Sequence, residues 1–116
     1  KLLIVASSVL HRPTTLADID VEGIRGVTPR HLAQASRMGK VIKLLALAER
    51  VDDDYRLSVH PTALERVHPL ARLSSWQMGV RYTTDTMGVI TAVIDEPDPW
   101  PTAAAVLRDV IDVFGS

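Results

Sequence analysis

Gly39 to Pro61, GKVIKLLALAERVDDDYRLSVHP, constrains the fold more than any other stretch. Val41, Ile42, Leu44, Leu45 and Leu47 make a nearly continuous apolar run, interrupted only by lysine. After Asp52, Asp53 and Asp54 the pattern alternates, with Tyr55, Leu57 and Val59 on one face and Arg56, Ser58 and His60 on the other. A period of two that follows a polar turn predicts a β-hairpin. Aspartate suits turns and adjacent carboxylates repel, so the three aspartates read as a solvated turn. The first strand, apolar on both faces, is expected to be buried on both.

The remaining elements are placed around that hairpin. Lys1 to Leu10 carries Leu2, Leu3, Val5, Ala6, Val9 and Leu10, a spacing that favours a buried helix over a strand, with Pro13 as its stop. Thr14 to Gly23 reads as a loop holding a short strand near Ile19 to Glu22. Thr28 is a good N-cap, Pro29 suits the first helical position, and Gly39 stands where a left-handed C-cap belongs. Thr62 to Leu73, with prolines at its margins, predicts one short helical turn and a loop. Trp76 to Thr83 and Thr86 to Ile94 form a second hairpin around Thr84 and Asp85. Asp95 to Pro101 holds three prolines in seven residues, which excludes regular structure. Thr102 then opens a last helix with Ala103, Val106, Leu107, Val110, Ile111 and Phe114 on one face and Gly115 as its stop. The fold class is α+β: a two-layer sandwich with a mixed, mostly antiparallel sheet of four or five strands and helices on one face.

At 116 residues the chain is read as one domain spanning 1–116. A net charge of −1 with scattered Lys and Arg argues against a nucleic-acid surface. No apolar run approaches the ~18 residues of a membrane span, and no signal peptide is visible. Without cysteine there is no thiol nucleophile and no thiolate metal site, which fits a cytoplasmic protein. A chain that begins at Lys inside an apolar run is expected to be cut from a longer one. His11, His31, His60 and His68 show no metal-ligand spacing, so no metal is assigned. His60 and His68 precede prolines and are expected to bond local backbone. Asp95, Glu96 and Asp98 lead into the last helix, whose first N–H groups could hold an anion. Three acids there would repel one, so the loop reads as structural. No GxGxxG, P-loop or GxSxG motif occurs. By themselves these residues define no active site.

The chain as a whole nevertheless resembles the substrate-binding and dimerisation domain of homoserine dehydrogenases. The matching blocks run in order: KLLIVA at Lys1 to Ala6, VEGI at Val21 to Ile24, GKVIKLLALA at Gly39 to Ala48, VHPT at Val59 to Thr62, HPLA at His68 to Ala71, and PTAAAVLRDVIDV at Pro101 to Val113. The resemblance implies interconversion of aspartate semialdehyde and homoserine with NAD or NADP, on the route to threonine and methionine. It also implies a homodimer, and it places the nucleotide-binding domain outside these residues. It puts the lysine that handles the proton on the substrate oxygen at Lys1, whose aspartate partner would stand upstream. It makes Pro101 and Thr102 cofactor-binding. The family shows a glycine-rich loop, G-x-G-A-G-x-x-P-T-A, where this chain has IDEPDPWPTA, so Pro97, Asp98, Pro99 and Trp100 replace flexible positions. No turnover is expected of these residues on their own. The rival reading, supported by the loop DEPDPW, is a stand-alone, non-enzymatic oligomerisation or small-ligand module derived from the same fold.

Overall fold

A computed structural model describes residues 1–115. It divides into two compact units, Lys1–Arg66 and Val67–Ser116.

The first unit is built on the hairpin. β2 (Lys40–Val51) and β3 (Asp54–Glu65) pair antiparallel over their whole length, from Lys40↔Glu65 to Val51↔Asp54. Asp52 takes a φ of 54° at the tight turn, a conformation that Asp tolerates better than most residues. β1 (Ile19–Val21) adds to the other side of β3 in parallel, with Ile19 opposite Leu57 and Val21 opposite Val59. The strand order is β1-β3-β2. The hairpin extends past Pro61, and Thr62–Glu65 is strand rather than the expected helical turn. Proline survives inside β3 because β1 ends at Val21, opposite Val59, which leaves no described strand on that edge to ask Pro61 for an N–H.

Two helices accompany this sheet. α1 (Leu2–Ser8) ends before Pro13, and Ala6 is its buried residue. α2 (Pro29–Arg37) begins as its sequence dictates. Thr28 accepts a hydrogen bond from the His31 N–H, while His31 Nδ1 accepts from the Thr28 N–H at 3.3 Å. Gly39 follows with φ +71°, which removes the strain a side chain would meet there. The buried residues of this unit are Ala6, Ala35 and Leu57. β2, expected to be covered on both faces, leaves Leu44 and Leu47 about half exposed.

The second unit holds β4 (Gln77–Thr83), β5 (Val89–Asp95) and α3 (Trp100–Phe114). The strands pair antiparallel from Gln77↔Asp95 to Thr83↔Val89, and the Thr84 hydroxyl donates to the Gly88 carbonyl at 2.8 Å across the turn. A 3₁₀ turn, Pro69–Arg72, lies over β4 where Gly79 leaves room: a Cβ there would stand 2.7 Å from Leu73 Cδ1 and 3.0 Å from Leu70 Cδ2. The α+β class and the mixed, mostly antiparallel pairing are as expected, but the five strands divide between two sheets rather than joining one. Among the described residues of this unit only Ala71 is buried. The described chain exposes 9173 Å². Two separate globules of these sizes would expose about 7,500 Å² together. Apolar surface is therefore left over in quantity.

Candidate active-site residues

Lys1 stands at the N-cap of α1, in the first unit, and its carbonyl accepts from the Val5 N–H at 3.0 Å. Its side chain is exposed at the start of a seven-residue helix. Pro101 and Thr102 belong to the second unit, within the first turn of α3.

The start of α3 differs from expectation. The helix opens at Trp100, two residues before Thr102, with Pro99 at its N-cap position, and Asp98 Oδ1 in the loop just before it accepts from the Trp100 N–H at 3.0 Å. Asp95 is also drawn out of that loop, as the last residue of β5, where its Oδ1 accepts from Gln77 Nε2 at 2.8 Å. These bonds set what the helix start can offer. The Trp100 N–H is taken by Asp98, Pro101 has none, and the Ala103 N–H is bonded to the Pro99 carbonyl. The Thr102 N–H and hydroxyl are the groups left at this turn. One amide beside Glu96 and Asp98 does not fit a phosphate; it fits a neutral hydroxyl or amide.

His60 and His68 take structural places, and only one of them as expected. His68 Nδ1 accepts from the Leu70 N–H at 3.2 Å, the local backbone bond anticipated for it, and its Nε2 lies 3.4 Å from Arg81 Nη1. His60 does otherwise: its Nε2 meets Asp20 Oδ2 at 3.0 Å, tying β3 to β1. Sequence pattern could not show that pair, because it depends on the parallel register that sets Asp20 beside Ser58.

The acidic turn also has a partner across the chain. Arg12 Nε donates to Asp54 Oδ1 at 2.7 Å and Arg12 Nη2 to Asp54 Oδ2 at 3.2 Å, a two-pronged contact on the surface. The Arg12 bond, helped by the Tyr55 backbone, holds the Asp54 carboxyl below the ordinary carboxylate range. Asp18 is lowered in the same direction by the Thr15 N–H and then by its hydroxyl. Asp54 in turn raises the Arg12 guanidinium above its usual value. These groups brace a loop against the hairpin and are not arranged for catalysis. The outer face of α2 carries an open depression lined by Arg30, Ala33, Gln34 and Arg37, which no expected site residue touches. No group of three or more metal-ligating side chains occurs among the described residues. No helix among them is long and apolar enough to cross a membrane.

Comparison with known proteins identifies the family. The homoserine dehydrogenase family profile matches residues 1–111. The chain is 37% identical over 119 residues to a homoserine dehydrogenase of Synechocystis, covering 99% of this chain and 28% of that protein. It is 31% identical to an NAD(+)-dependent homoserine dehydrogenase of Pseudomonas canavaninivorans, covering 100% of this chain and 33% of the relative. Among solved structures, a homoserine dehydrogenase from Thiobacillus denitrificans superposes with a TM-score of 0.86 at 29% identity, covering 97% of this chain and 26% of that one. The chain thus spans about a quarter to a third of the length of these relatives. Over that span, profile, identity and fold agree: the chain belongs to the homoserine dehydrogenase family.

Proposed function

We propose that residues 1–116 form the substrate-binding and dimerisation domain of a longer, cytoplasmic oxidoreductase. It interconverts homoserine and aspartate semialdehyde with NAD or NADP, in the synthesis of threonine and methionine. The observation that carries this reading is the family match over residues 1–111, which includes Lys1 at the head of α1.

The division of labour follows from what the chain holds. A bound nicotinamide cofactor supplies hydride transfer at the substrate carbon. This chain has no glycine-rich dinucleotide turn, so the phosphates of such a cofactor are assigned to residues outside it. Lys1 is assigned the proton on the substrate oxygen: its ammonium donates as the carbonyl is reduced, and its amine accepts in the reverse direction. Pro101 and Thr102 are assigned cofactor contact, with the Thr102 hydroxyl and N–H serving a neutral group such as a ribose hydroxyl or carboxamide. The preference between NAD and NADP lies with residues outside this chain.

The test is a kinetic comparison in the full-length protein. Lys1→Ala is expected to lower kcat for homoserine oxidation by about 10²–10⁴-fold with little change in homoserine KM. Thr102→Val is expected to act instead on the KM for the cofactor. A Lys1→Ala enzyme with unaltered kcat removes Lys1 from the chemistry.

A further inference from the structure

The outer face of α2 is used neither by the packing of the first unit nor by the proposed chemistry. From Gly23 to Ala48 the chain holds Arg25, Arg30, Arg37, Lys40 and Lys43 and no acidic residue, although acids slightly outnumber bases over the whole sequence. Most basic side chains of the protein are engaged. Arg12 meets Asp54, Lys40 meets Glu65, Arg56 meets Glu49 and Arg108 meets Asp109. Arg66 donates to Ser36 Oγ, and Arg50 to the Asp52 carbonyl. Among the described residues, only Arg25, Arg30 and Arg37 are arginines or lysines without a hydrogen-bond or ion-pair partner.

Two of these three come together on α2. Arg30, Ala33, Gln34 and Arg37 fall at i, i+3, i+4 and i+7, one side of the helix, and line an open depression of about 350 Å³. Ala33, the smallest of the four, leaves the gap between the two arginines. The charge placement runs against the local preference of a helix. Arg30 lies in the first turn, where the dipole favours an acid, and no acid stands there. The scaffold beneath is fixed. Thr28 and His31 close the N-terminus, Ala35 is buried, and Arg66 Nη2 holds Ser36 Oγ at 2.8 Å. The two guanidiniums are therefore carried by a rigid element and not by a loop.

The kind of ligand follows from the donors and their spacing. Two guanidinium forks and the Gln34 amide supply many N–H groups and a charge of two, with one neutral acceptor among them. Guanidinium forks match the oxygens of phosphate. Seven residues of helix separate the two arginines by about 10.5 Å along the axis, and side chains lean the same way along a helix, so the spacing carries over to the forks. A hydrogen bond of about 2.8 Å at each end leaves about 5 Å for the ion, the span of two linked phosphoryl groups.

We propose that the depression on α2 binds a diphosphate group, with one phosphoryl at Arg30, the other at Arg37 and the Gln34 amide donating between them. The site stands on the geometry of α2 and does not depend on the catalytic reading.

Titration calorimetry of the full-length protein with inorganic pyrophosphate at constant ionic strength tests it. A saturable site with a Kd at or below about 1 mM is expected. Arg30→Ala and Arg37→Ala are each expected to raise that Kd about tenfold. Ala33→Leu fills the depression with a good helix former and leaves both charges, and is expected to weaken binding as much. Arg108→Ala, which removes an exposed arginine of the second unit, is expected to leave the Kd unchanged. All four side chains are exposed, so unaltered thermal unfolding is expected to accompany each change. Pyrophosphate held where the cofactor's phosphates bind is untouched by these variants and subtracts out. No saturable site sensitive to Arg30→Ala and Arg37→Ala overturns the proposal. Binding that survives Ala33→Leu, or falls equally with Arg108→Ala, is diffuse attraction of charge and overturns it too. Succinate bound as tightly as pyrophosphate overturns the assignment to phosphate.

Discussion

The two units differ most in what their strands have to pack against. In the first, β3 is flanked on both sides, the hairpin pairs along twelve residues of each strand, and Leu57 is 2% exposed at its centre. In the second, seven-residue strands pair only with each other, and Val89, Ile90, Val93 and Ile94 of β5 are all 43–50% exposed. α3 repeats the pattern, with Val106, Leu107, Val110, Ile111 and Phe114 open. An isolated two-stranded hairpin is marginal in water, because half its backbone bonds and both faces meet solvent. The difference teaches that the same chain holds one region close to self-sufficient and one that leaves most of its apolar surface open.

The largest expected effect is in hydrogen exchange. In the 116-residue chain, amides of β2 and β3 are expected to be protected, while those of β4, β5 and α3 exchange close to the unfolded rate. In the full-length protein both sets are expected to be protected. Equal protection of α3 and β3 in the short chain breaks the comparison.

A pair of truncations sharpens it. Leu57→Ala removes the one large side chain that is fully buried among the described residues, and is expected to cost about 2–5 kcal/mol in the unfolding of the short chain by denaturant. Ile94→Ala, 49% exposed, is expected to cost well under half of that there. A larger effect at Ile94 than at Leu57 in the short chain reverses the ranking of the units.

The smallest expected effect is electrostatic. Asp54 and Asp18 have carboxyls held below the ordinary value of 3.8, so the stability they add is present above that value. It is lost as pH falls through their lowered folded-state values. Acid titration of the first unit is therefore expected to show a loss below about pH 4 that Asp54→Asn makes shallower. Because both groups are exposed, the change is small and salt-sensitive. An Asp54→Asn chain with an unaltered acid limb removes the Arg12 contact from the account.

Much of the first unit was legible in the chain because its signals are local. The Asp52–Asp53 turn, the alternation of Tyr55, Leu57 and Val59, and the Thr28-Pro29 helix start with Gly39 after it each report their own backbone. What escaped depends on distant partners. Pro61 looked like the end of a strand, but its missing donor matters only if a neighbour needs it, and β1 had already stopped. The His60–Asp20 and Arg12–Asp54 contacts join residues 40 or more positions apart, which no window reveals. At α3 the prolines concealed an early helix start, with Pro99 at the N-cap position and the Trp100 N–H bonded to Asp98. The division into two sheets was equally invisible, since strand pattern does not say which strands pair. The candidate site was legible through family likeness alone: Lys1, Pro101 and Thr102 carry no local pattern of their own.

The most direct test of the whole reading is steady-state reduction of NAD or NADP in the presence of homoserine, measured for the full-length protein and for residues 1–116. Homoserine-dependent turnover by the full-length protein, none by the short chain, and near-complete loss on Lys1→Ala is the predicted result. A full-length protein that reduces neither cofactor with homoserine contradicts the account, and favours a module that kept the fold without the reaction.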